Sequence, residues 1–271
     1  MEKTRTCFKP GLGCWVVVWV VIATISLVLS YAIARSNGHI SFFVPAISFT
    51  TSKNPEGAVF AQLFNTTALI TLILIAIRYF QVKMINRQVD GGESSHLSQL
   101  NSLSIVFGIG GALGASLVAN FKSVEDNDDA VGIVHVIGAV ILFTSGAGYC
   151  WTQTIATHQL TKFSSESRPV FTVRLVISCV LTISALIFFI CEGLTYHGSL
   201  KHESSVQIVG NLFEWLAAWC FGLYALSFFK EFQNLSLSIQ CIPRCGGKSS
   251  DALKYSTIPV SGIDENITDS D

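Results

Sequence analysis

Charged side chains are what this sequence has least of. Its 17 basic and 18 acidic residues make up 13% of 271 positions, where a soluble domain carries about 25%. Half of the chain is apolar and the mean hydropathy is +0.53. A soluble fold has no place to hide that much apolar surface, and a disordered chain does not have that composition. A surplus of positive charge is also missing. The formal net charge is −1, which excludes a nucleic-acid binder held by phosphate attraction. Catalytic signatures are absent as well: there is no His-Glu-x-x-His, no Gly-x-Ser-x-Gly and no Gly-x-x-x-x-Gly-Lys-Ser/Thr phosphate loop. The remaining class is an integral membrane protein, in which no enzyme motif is found and no cofactor is expected.

The few charges are unevenly placed, and their gaps define six apolar runs: Trp15–Ala34, Ala58–Phe80, Leu103–Phe121, Val131–Trp151, Val173–Cys191 and Ile208–Phe229. Only Arg78, Arg174 and Glu214 interrupt them. Each run is long enough, at 1.5 Å per residue, for a helix to cross about 30 Å of hydrocarbon. Helix is required because lipid offers backbone N–H and C=O groups no other partner. The expected fold is therefore an all-α polytopic bundle of six transmembrane helices over residues 1–240. A disordered tail follows over residues 241–271.

Lysine and arginine orient it. Lys3, Arg5, Lys9, Arg78, Lys83, Arg87, Lys162, Arg168, Arg174, Lys230, Arg244, Lys248 and Lys254 fall on one side, whereas only Arg35, Lys53, Lys122 and Lys201 fall on the other. The positive-inside rule puts both termini in the cytosol. The first run also imitates a signal peptide, with Ala32-Ile33-Ala34 as its small-residue site. Its apolar stretch is longer than a signal core, so an uncleaved anchor is expected.

None of the eight cysteines lies in a loop expected to face the lumen, which excludes a disulfide-stapled ectodomain. Cys241 and Cys245, just beyond the last run, are candidates for palmitoylation or are inert cytosolic thiols. They lack a second ligand pair, and the histidines are scattered, so no metal site is expected. The sequons at Asn65, Asn234 and Asn266 fall in a span or in the cytosol, and no N-glycan is expected.

Polar residues at membrane depth require a reason. Arg78 and Arg174 sit near cytosolic span ends, where they are expected to snorkel and anchor. Glu214 lies deeper and reaches less far. Asn211 is one turn before it on the same face, and His135 and Asn65 with Thr66 lie at similar depth. These residues are expected to converge on one polar cluster. Two readings of it stay open: a packing knot that fixes helix register, or a site for a lipid headgroup, ion or proton. In the third span, Gly110-x-x-x-Gly114 permits close backbone approach, here expected against the small-residue face of the fourth span, with dimerisation as the rival use.

Beyond these readings, the order of several motifs is distinctive. Ser30-Tyr31-Ala32-Ile33-Ala34, Gly38-His39-Ile40, Val44-Pro45-Ala46-Ile47-Ser48 and Pro55-Glu56 come first. Arg78-Tyr79, Val118-Ala119-Asn120-Phe121, His135-x-x-Gly138-Ala139, Arg174-Leu175-Val176-Ile177-Ser178, Glu214-Trp215 and Phe228-Phe229-Lys230-Glu231-Phe232-Gln233 follow. In this order, over about residues 15–240, the chain resembles the DNA-damage-regulated autophagy modulator (DRAM) family. The resemblance implies a six-span lysosomal or endosomal protein that promotes autophagy, without established enzymatic activity. One segment departs from the family pattern. Where the family reads Pro-Tyr-Ile-Ser-Asp-Thr-Gly, this chain reads Pro45-Ala46-Ile47-Ser48-Phe49-Thr50-Thr51. Related branches act at the plasma membrane on phosphoinositide-kinase complexes, or in lipid-anchor remodelling. The alternatives are thus a lipid-kinase scaffold, or a transporter or lipid-remodelling enzyme with a polar site under the lumenal surface. Tyr255-Ser256-Thr257-Ile258 in the tail fits the Tyr-x-x-apolar signal read by clathrin adaptors, which would route the chain to endosomes and lysosomes. Expected partners are membrane lipids and such adaptors, together with autophagy or lipid-kinase machinery that the sequence does not specify.

Overall fold

The computed structural model describes residues 11–40, 44–88, 94–122, 129–161, 167–196 and 205–236. Among them are eight helices and no strand: α1 (Gly13–Ser36), α2 (Ile47–Thr50), α3 (Glu56–Arg87), α4 (Ser95–Asn120), α5 (Asp129–Leu160), α6 (Ser167–Tyr196), α7 (Ser205–Leu226) and α8 (Phe229–Gln233). Six are long and apolar enough to cross a membrane. Several outrun the apolar run that announced them. α3 continues to Arg87, although its apolar run ends at Phe80. Hydropathy marks where a helix leaves hydrocarbon, whereas the i→i−4 ladder can continue into the headgroup layer. The ends of α3 and α4 are stitched together. The Asn86 side chain donates to the Ser94 carbonyl and accepts the Ser94 N–H, and Ser94 caps α4 by accepting the Leu97 N–H.

The helices pack in chain order into a ring. α1 lies on α3, α3 on α4, α4 on α5, α5 on α6 and α6 on α7, and α7 returns to α1. The outside of this ring is apolar and open: Val106, Phe80, Leu69 and Ile190 are all more than 60% exposed. Such a surface is stable only with lipid as its solvent. The inside holds an aromatic core of Phe143, Phe188, Tyr224, Phe228 and Phe232. The α4–α5 seam is the closest. A Cβ at Gly114 would sit 2.4 Å from the Leu142 backbone nitrogen and 2.8 Å from the Gly138 carbonyl, and one at Gly110 would sit 2.6 Å from Ser145 Oγ. Gly114 thus lies against the α5 backbone, where only hydrogen fits, and Gly110 faces the Ser145 side chain across the same seam.

Candidate functional site

Residues 44–47, which lie between α1 and α3, are held at one end of the ring by α7. α7 is amphipathic at its start, where it projects Asn211, Glu214 and Trp215 toward the segment 44–47. Glu214 Oε2 accepts the Ile47 N–H at 2.8 Å. Asn211 Nδ2 donates to the Val44 carbonyl at 3.0 Å, and Trp215 Nε1 donates to the Pro45 carbonyl at 2.8 Å. All three side chains read backbone groups, in a stretch too irregular to pair its own. Glu214 sits at the N-terminus of α2, where a carboxylate satisfies an N–H that the helix leaves without an internal acceptor. Tyr31 of α1 meets Trp215 edge to face, ring centres 6.4 Å apart. Further along, Glu56 at the start of α3 is buried and pairs with His39, and Lys122 donates to Asn54 at 2.5 Å. Together these contacts form a clasp.

The polar residues expected to converge on one cluster are divided among three contacts. Asn211 and Glu214 do share one face and one purpose. Asn65 does not join them. It donates to Asn120 Oδ1 at 3.0 Å and accepts from Ser116 Oγ at 2.8 Å, tying α3 to α4. His135 is buried and bonds the Phe121 carbonyl at 2.6 Å, tying α5 to the end of α4. What His135 and Glu214 share is a wall: both border the central cavity of the ring, about 310 Å³, and Asn65 and Asn211 do not.

At the other end of the ring the structure overturns an expectation. Arg78 and Arg174 do not snorkel outward. They are 1% and 0% exposed. Arg78 Nη1 lies 2.6 Å from Glu231 Oε2, and Arg174 Nη1 lies 3.2 Å from Glu231 Oε1, so one carboxylate bridges both. The remaining donors are used. Arg78 donates to Gln153 at 2.9 Å and to Gln81 at 2.7 Å, and Arg174 donates to Thr157 at 2.6 Å and to Ser227 Oγ at 2.9 Å. Both guanidinium groups face the Phe228 ring, at 5.0 and 3.9 Å. This knot joins α3, α5, α6 and α8, and Gln153 extends it to Ser104 of α4. Snorkelling fails as a description because α8 turns back under the bundle and carries a carboxylate to the depth of the arginines. The signal was present in the sequence: two cations near span ends and one acid in Phe229-Lys230-Glu231-Phe232 at matching depth. Trp215 and the His39–Glu56 pair were likewise missed. Their partners are a backbone carbonyl and a residue across a loop, and neither leaves a spacing pattern.

Cys241, Cys245, Tyr255 and Ile258, with the rest of the tail, lie outside the described residues.

Comparison with known proteins gives a coherent result. The description "Frag1/DRAM/Sfk1/Cwh43P N-terminal domain" matches residues 12–235. DNA damage-regulated autophagy modulator protein 2 of Rattus norvegicus is 30% identical over 246 residues, which cover 86% of this chain and 88% of the relative. DNA damage-regulated autophagy modulator protein 1 of Homo sapiens is 28% identical, covering 86% and 96%. Modulator of macroautophagy TMEM150B of Danio rerio is 28% identical, covering 79% and 83%. No solved structure matches the chain.

Proposed function

We propose, because the chain belongs to the Frag1/DRAM/Sfk1/Cwh43P family, that it is a non-enzymatic multi-pass protein of the lysosomal or endosomal membrane that modulates autophagy. The observation that carries this reading is the likeness, over 86% of the chain, to relatives named as autophagy modulators. The six apolar helices make it a membrane protein. The charge bias favours cytosolic termini, with the clasp on the lumenal side and the arginine knot on the cytosolic side. On this reading the bundle is tied at both ends, and its loops and tail meet partners. Tyr255 and Ile258 would supply the sorting signal through clathrin adaptors.

The test is location. The full chain with a small tag, expressed at endogenous level, is imaged against lysosomal, endosomal and surface markers. Residence in lysosomes or endosomes supports the proposal. Residence at the cell surface alone would favour a plasma-membrane scaffold for a lipid kinase.

A further inference from the structure

The ring of helices is not filled. Its cavity of about 310 Å³ is bordered by all six long helices. That size falls within the range of small-molecule sites, about 300–1,000 Å³. The walls change along its length. Phe107, Phe143, Phe188, Phe221 and small residues such as Ala112, Ala139 and Ala218 make most of it apolar. Glu192, Glu214 and His135 border it as well, and Glu214 places them toward the clasp. At that end Ile47 and Ser48 of α2 border it, and toward the arginine knot Phe228 and Phe232 do so. An apolar void of this size leaves its walls without dispersion partners, and apolar cavities of smaller volume already take up apolar guests.

The occupant's chemistry follows from the walls. The ring is surrounded by bilayer, so the molecules at highest local concentration are lipids. A slim apolar body fits the aromatic walls. The carboxyl groups of Glu192 and Glu214 each keep oxygen lone pairs that can accept a hydrogen bond, ionised or not, so they suit a head that donates. We propose that the central cavity is a binding site for one bilayer lipid, with a slim apolar body and a hydroxyl or amine head placed at Glu192 and Glu214. A sterol and a sphingoid base both have this chemistry.

The experiment uses the full-length protein purified in detergent and three photoreactive, clickable probes: cholesterol, sphingosine and phosphatidylcholine analogues. Either of the first two should label the protein, with the labelled peptides mapping to cavity walls such as Phe188–Phe189 or Phe221–Tyr224. A tenfold excess of the same unlabelled lipid should remove most of the label. Which probe labels identifies the source of the head. Ala139→Phe on α5 and Ala218→Phe on α7 fill the cavity from two sides, and each should lower labelling at least fivefold. Leu216→Phe, at a position facing outward on α7, should not. Unchanged labelling in both filling variants would overturn the proposal. So would equal labelling by phosphatidylcholine, no labelling by either donor-headed probe, or labelled peptides confined to the outer surface. Should the filling variants aggregate, the competition and peptide mapping on the unaltered protein decide the question alone. Failure here leaves the reading of autophagy modulation untouched, since that rests on the relatives and not on the cavity.

Discussion

Two buried guanidinium groups sharing one partly exposed carboxylate is the arrangement most sensitive to single substitutions. Removing Glu231 leaves both arginines buried and without their counter-charge, and breaking a buried pair in this way costs about 3–5 kcal/mol. Glu231→Ala should therefore lower the melting temperature in detergent sharply. Arg78→Met in the same chain should recover part of that loss, because it removes one stranded cation. A melting temperature unchanged by Glu231→Ala would show that the knot contributes little. Glu214 makes a milder case. Glu214→Gln keeps an acceptor for the Ile47 N–H and should be tolerated. Glu214→Leu leaves that buried donor unmet and should cost about 1–3 kcal/mol. The two variants should separate in a thermal unfolding assay, and equal stability would remove Glu214 from the clasp. At this scale the sequence was half legible. That Asn211 and Glu214 share a face follows from their spacing. That they hold residues 44–47 does not, because a backbone N–H or C=O has no residue type to announce it.

Helices were the most legible level. Six apolar runs yielded six long helices in the same order. Their ends were less legible, as Arg87 at the end of α3 shows. The contact between α4 and α5 was legible for a steric reason, since glycines four apart leave a groove that only another backbone fills. Gly114→Ala should force these helices apart, given the 2.4 Å separation between its Cβ and the Leu142 nitrogen. Overpacking of this kind costs about 1–3 kcal/mol. Gly222→Ala on α7 meets nothing within 4 Å and serves as its control. That substitution should be neutral or slightly stabilising, because alanine is the better helix former. Melting temperatures that move alike for the two variants would contradict the packing described here. What no hydropathy pattern could reveal is α8. Its five residues are too short to stand out, yet they carry Glu231 inward.

At the scale of the molecule, ring order, clasp and knot produce a body whose outer face is apolar and suited to lipid. The charge bias predicts that protease added outside intact lysosomes removes a C-terminal tag, and full protection of the tag would refute cytosolic termini. Tyr255→Ala should raise the surface fraction at unchanged total abundance if the tail carries an adaptor signal, and an unchanged distribution would remove that motif from the account. The central claim is that this membrane protein modulates autophagy, and it is tested most directly by autophagic flux. Flux is measured as the turnover of an autophagosome-bound reporter, in cells lacking the protein and in the same cells re-expressing it. The account predicts that flux changes on removal, and that the intact chain restores it. Flux that is identical with and without the protein, under both nutrient supply and starvation, would contradict it.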